Sequence, residues 1–184
     1  DLKGGATLIM GAGCSLSSTK KDISTIGIMK DSLREHGIAI DDEEEWDKIY
    51  SKFIDIVWIG KSKEEQRQLL NKRLADIHPT EGHNYLRALI SEGYFTTIIT
   101  TNFDMLIEDA CKGMTYFKST GYTYRRIGHD SEGFHLLKVH GDLESGKLRF
   151  SPADLMKLPN KISEDIFERT RGLTLFLGYR GQDI

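Results

Sequence analysis

Short, mostly apolar runs alternate along the chain with longer stretches in which apolar residues recur every three or four positions. Four runs of strand length stand out, Ala6–Met10, Phe95–Ile99, Phe134–Val139 and Leu173–Leu177. Each is bounded by Gly or polar residues, the pattern of a buried parallel strand. The segments between them read as helices. Ser15–Asp31 is a polar loop leading into a helix at about Ile28–His36, with Gly37 at the left-handed stop position. Asp41–Glu45 opens the next helix, its acids suiting the positive end of the dipole. Trp46, Ile49, Tyr50, Phe53 and Val57 give that helix one apolar face. Ser62–Ile77 begins with a capping box, carries Leu69, Leu70, Leu74 and Ile77 inward, and is ended by Pro79. Thr80–Ser91 turns Tyr85, Leu86, Leu89 and Ile90 inward and closes at Gly93. A helix from Asn102 to about Cys111 packs Met105, Leu106 and Ala110 on the sheet, and another covers Ser163–Arg171. Gly113–Gly133 reads as short strands or loops. Strands alternating with helices predict an α/β fold, a Rossmann-like doubly wound parallel sheet with helices on both faces.

Every one of the four strands empties into a polar motif. Gly11-Ala12-Gly13-Cys14-Ser15 follows the first, Thr100-Thr101-Asn102-Phe103-Asp104 the second, His140-Gly141-Asp142 the third and Gly178-Tyr179-Arg180-Gly181-Gln182-Asp183 the fourth. Ligands of open α/β sheets bind outside the carboxyl ends of the strands, so the four ends describe one site. Gly11-x-Gly13 suits a tight turn and close backbone approach to a pyrophosphate, or simply a strand-to-helix turn. Leu16 stands where a dinucleotide fingerprint has its third glycine, and no acidic residue follows a second strand at the usual distance. The dehydrogenase pattern is therefore absent. Ser15 can donate to a phosphate or cap a helix. Cys14 has no neighbouring base and reads as a small buried filler. Thr101 or Asn102 can cap the following helix while Asp104 complements its dipole. Phe103 reads as core. His140 is either a structural hydrogen bonder or a general base. Asp142 either orients His140 or caps the next turn.

Composition narrows the classes. The 184 residues suit one domain, and 39% hydrophobic with 29% charged residues is ordinary for a globular protein. A formal net charge of -3 and the lack of a dense Lys/Arg cluster give no footprint for direct nucleic-acid binding. Two cysteines, Cys14 and Cys111, allow neither a disulfide framework nor a four-cysteine zinc site, and they point to a reducing, cytoplasmic setting. The histidines lack metal-ligand spacing, so no metal is expected. No run reaches the roughly 18 to 20 apolar residues of a membrane span. The chain starts at Asp1 and stops just past a ligand-facing loop, so residues 1–184 are expected to be one domain of a longer protein.

The same motifs carry a resemblance. GAGCS, TTNFD, KVHGD and LGYRGQD, in this order, resemble the SIR2-like fold that includes the sirtuin deacylases, and more closely the bacterial SIR2-like domains that consume NAD in antiphage defence. The resemblance implies NAD as substrate, with Gly11, Ala12, Gly13, Ser15 and Thr101 in its binding site. It places Asn102 against the nicotinamide ribose or an attacking water, Asp104 against the nicotinamide carboxamide, and His140 as general base. Gly178, Tyr179 and Arg180 would receive the adenosine half. It implies an NAD glycohydrolase, held in check by a homo-oligomer, an attached domain or a partner protein. A non-catalytic NAD-sensing module is the alternative. A deacylase fits less well, because the zinc cysteines are absent and Leu16–Thr25 replaces the sirtuin segment Gly-Ile-Pro-Asp-Phe-Arg.

Overall fold

The computed structural model describes residues 5–18, 23–41, 43–121, 123–151, 154, 158 and 160–179. Its strands are β1 (Ala6–Met10), β2 (Phe95–Thr100), β3 (Tyr116–Ser119), β4 (Tyr124–Ile127), β5 (Phe134–Lys138) and β6 (Thr174–Leu177). Its helices are α1 (Thr25–Glu35), α2 (Trp46–Phe53), α3 (Lys63–Leu74), α4 (Glu81–Ser91), α5 (Leu106–Ala110) and α6 (Asn160–Arg169). The strands form one sheet in the order β4-β3-β5-β2-β1-β6. All neighbours pair in parallel except β3 and β4, an antiparallel hairpin at one edge. The four apolar runs are thus the four central and outer parallel strands β5, β2, β1 and β6, and their carboxyl ends stand in one row.

Alternation along the strands divides the core. Leu8, Met10, Ile98 and Leu136 face Leu86 and Ile90 of α4 and Ile107 of α5. Ile9, Ile99, Leu137 and Val139 face the opposite way, toward Ile166 of α6. Helices on both faces make this the doubly wound α/β fold that the alternation predicts. A further cluster joins α1, α2 and the π-helical turn Ile54–Trp58 to Leu143, Leu148 and Phe150, with Phe103 packed against it. Since Phe103 and Leu143 follow β2 and β5, this helical layer lies against the carboxyl edge of the sheet.

Several boundaries differ from the sequence pattern for local reasons. α1 starts earlier than Ile28 because Ser24 caps it, its hydroxyl accepting from the Gly27 amide at 3.0 Å. The acidic run before Trp46 lies ahead of α2, with Glu45 at its N-cap. Tyr85 and Leu89 point outward, 63% and 40% exposed; the buried stripe of α4 is His83, Leu86 and Ile90. α5 begins at Leu106, because residues 101–105 form a loop whose Asp104 carboxylate accepts from the Leu106 amide at 3.1 Å. α3 ends at Leu74, and its capping box is formed, the Glu65 carboxylate accepting from the Ser62 amide at 2.7 Å. Among the described residues β6 pairs with β1 alone, and Leu175, Phe176 and Leu177 are 44%, 63% and 54% exposed. Among the described residues no helix is long and apolar enough to cross a membrane.

Candidate active site

The β1 turn is built by close backbone contact with β6. The Gly11 amide donates to the Leu177 carbonyl at 3.1 Å, and the Gly13 amide to the Gly178 carbonyl at 3.0 Å. A Cβ on Gly11 would lie 2.6 Å from the Gly178 oxygen, and one on Gly13 would lie 2.8 Å from the Gly178 Cα. Gly178 itself has φ +62, where L side chains are strained. These glycines therefore answer first to the crossing of two strand ends. The Cys14 and Ser15 amides complete 3-10 turns on the Gly11 and Ala12 carbonyls. The amides of Gly11, Gly13 and Ser15, expected beside the dinucleotide, are thus engaged within the chain. The Cys14 thiol bonds the Leu177 carbonyl at 3.2 Å, and burial raises its pKa, which agrees with a filler rather than a nucleophile.

Above this turn the second motif locks in. Asn102 Nδ2 donates to the Gly11 carbonyl at 3.2 Å and to Ser15 Oγ at 3.1 Å. Ser15 Oγ in turn donates to Asp104 Oδ2 at 2.7 Å. Asn102, Ser15 and Asp104 are all buried. A main-chain carbonyl only accepts, so the amide nitrogen of Asn102 must be the end that meets Gly11. Those two bonds leave Oδ1 as the acceptor end of the amide. Asp104 is spent on the scaffold: one oxygen holds Ser15, the other caps α5. The cap expected from Thr101 or Asn102 thus falls to Asp104, for which only a dipole-complementing role was expected. Thr101 continues the β2 ladder through its amide, which reaches the Met10 carbonyl at 3.4 Å.

His140 enters from the neighbouring strand. Thr100 of β2 pairs with Lys138 of β5, so Asn102 and His140 each stand two residues beyond the last matched pair. The His140 ring lies 6.2 Å from that of Phe103, the residue after Asn102. Phe103 bridges outward to Phe150 at 5.7 Å, and Phe150 to Trp58 at 4.8 Å, so ring contacts tie the site to the helical layer. The turn behind His140 is held by Arg149, whose amide donates to the His140 carbonyl at 2.8 Å and whose guanidinium bonds the Val139 carbonyl at 2.6 Å. Asp142 turns away: it meets Lys118 at 2.5 Å and accepts from the Ser145 amide at 2.6 Å. It caps the following turn, the second of the two roles open to it.

Residues 11–15, 101–104, 140 and 178–179 therefore gather along one edge, as the motif row requires; Arg180 lies outside the described residues. A cavity of about 420 Å³ opens between this edge and α4, lined by Gly13, Cys14, Gly178, Thr80 and His83 among others. That volume suits a small-molecule site. Asn102 and His140 sit behind the turn rather than on its wall, 8% and 7% exposed. A second cavity of about 530 Å³ lies between α3 and α5, away from the glycine turn.

Residues that the motifs did not flag complete the site. Lys138, Lys118 and Glu108 form a buried ion network beneath the β2–α5 loop, with Lys138 Nζ 3.0 Å and Lys118 Nζ 2.9 Å from the same Glu108 oxygen. Burial pushes the Glu108 carboxyl up, and the two ammonium groups more than reverse it, leaving it below the usual range. A cation inside the apolar run Phe134–Val139 was the available signal for Lys138; Arg149 gave none. His83 is the other addition. Its Nδ1 accepts from the Thr80 amide at 3.2 Å, closing the first turn of α4.

The comparisons bear on this edge directly. Residues 96–184 match the family model described as a SIR2-like domain. Over that span the chain is similar to SIR2-like domains. The matched span opens within β2 and includes Asn102, Asp104, His140 and Gly178, so it covers three of the four motifs. SIR2-like domains use NAD, and the enzymes of the family are NAD-dependent. No curated protein matches the chain. Among the described residues no group of His, Cys, Asp and Glu is arranged to hold a metal ion.

Proposed function

We propose that this SIR2-like domain is an NAD glycohydrolase, releasing nicotinamide and ADP-ribose. The observation that carries the reading is the fixed amide of Asn102. Its nitrogen is held by Gly11 and Ser15, so its oxygen is presented at the end of β2, beside the β5 end bearing His140. In the reaction the bond between nicotinamide and the ribose anomeric carbon breaks, water adds to that carbon, and a proton leaves the water. The transition state has oxocarbenium character because the pyridinium leaves as neutral nicotinamide and its positive charge passes to the ribose ring. Asn102 Oδ1 accepts a hydrogen bond from the ribose hydroxyl or the attacking water, and His140 takes the proton. Gly13, Cys14 and Gly178 line the cavity in which the rest of the dinucleotide would lie.

Both reacting side chains are buried in this arrangement, so their surroundings must open for NAD to reach them. That cover supports the view that turnover is gated, by oligomerisation, an attached domain or a partner. The biological setting we favour is NAD depletion in antiphage defence, on the resemblance of the four motifs. Nicotinamide release by the full chain, with and without Asn102→Ala and His140→Ala, tests the reading. Loss of about a hundredfold or more is expected from each variant. Unchanged turnover in either would overturn its role, and NAD binding without any turnover would mark a sensing module instead.

A further inference from the structure

Lys138 is the last residue of β5, and its side chain is 1% exposed. A lysine so placed loses its hydration and is retained in a core only with close partners. Two of its contacts are with charge or sulfur, the Glu108 carboxylate at 3.0 Å and Met105 Sδ at 3.9 Å. The third is of another kind: Nζ donates to the main-chain carbonyl of Asp104. That carbonyl belongs to the loop 101–105, which has no ladder or helix to satisfy it. A buried carbonyl requires a donor, and none of the regular elements supplies one there. An apolar residue would fill the same volume at less desolvation cost, so a cation here answers to the loop rather than to the core.

We propose that Lys138 is a positioning residue that sets the β2–α5 loop, and with it Asn102, against the β5 end that carries His140. The inference rests on the glycohydrolase reading for its kinetic consequence, but not for its structural one. Lys138 stands two residues before His140 and holds the carbonyl two residues after Asn102. Glu108 anchors the ammonium from α5, the element that follows the loop. One side chain thereby ties together the two strand ends whose groups must converge.

The test compares the full-length chain with Lys138→Met and Lys138→Arg, by hydrogen exchange and by steady-state nicotinamide release. Exchange of the amides of residues 101–106 should quicken about tenfold or more in Lys138→Met, while those of β1 and β2 stay protected. Turnover should fall by about a hundredfold with little change in KM, since a misplacement of about 1 Å is enough for such a loss. Lys138→Arg keeps a donor in the cavity and should recover most of both. If Lys138→Met does not fold, the neutral pair Lys138→Met with Glu108→Met serves the same comparison. Unchanged loop exchange in a folded variant overturns the proposal, as does quickening spread evenly over the sheet. If the wild-type chain releases no nicotinamide even when assembled with its partners, the glycohydrolase reading fails and the exchange result still decides the role of Lys138.

Discussion

At the scale of single residues, Asn102 and His83 illustrate how a polar side chain is made useful by what it cannot do. Asn102 has one orientation, because the Gly11 carbonyl cannot donate. Asn102→Asp would place an anion against that carbonyl, and it should lower both stability and nicotinamide release, read by urea unfolding and by the release assay. His83 must be neutral at Nδ1 to accept from the Thr80 amide. Its pKa is lowered by burial, with nearby Asp104 acting in the opposite sense. A folded pKa below the unfolded value means that the unfolded chain binds more protons in the interval between them. The stability contributed by neutral His83 is therefore present above about pH 6.5 and is lost as pH falls through the lower folded value. Midpoints of urea unfolding should decline on acidification from pH 7. His83→Gln, which can keep the capping box without titrating, should flatten part of that decline. His135 is lowered in the same direction, by burial first and then by Arg169, so a residual slope should remain.

At the scale of elements, the meeting of β1 and β6 is the most constrained feature. Gly178→Ala would put a methyl group 2.6 Å from the Cys14 amide nitrogen at a backbone angle of φ +62. About 1–3 kcal/mol of destabilisation is expected, measured by chemical unfolding. The strands were legible because short, mostly apolar and β-branched runs between polar stops leave little else to be. Their order in the sheet was not, since register comes from pairing across distant segments. The position of α5 was misread for a physical reason: Asn102 and Asp104 are both good caps, and only the fold decides that Asp104 caps while Asn102 turns to Gly11 and Ser15. The inner face of α4 differs from the pattern because Tyr85 and Leu89 are apolar enough to suggest it, whereas His83 joins Leu86 and Ile90 in the buried stripe. Asn102 and His140 could be picked out from their places after strands; Lys138, Glu108 and Arg149 act through partners that no local pattern names.

At the scale of the whole molecule, the sheet ends in two unlike edges. β4 is short, with Arg125 and Arg126 among its four exposed residues, a charged edge that discourages further pairing. β6 carries Leu175, Phe176 and Leu177 exposed on both faces. Such an edge favours association, so Phe176→Lys should reduce the scattering mass of concentrated solutions of this chain without changing its unfolding midpoint by more than about 0.5 kcal/mol. The same strand bears directly on the turn beneath Asn102. Because Gly11, Gly13 and Gly178 meet backbone to backbone, no side chain lies between the two segments to absorb a displacement. Whatever grips the outer strand therefore pulls on the seat of the reacting amide, and a probe placed at one will report events at the other.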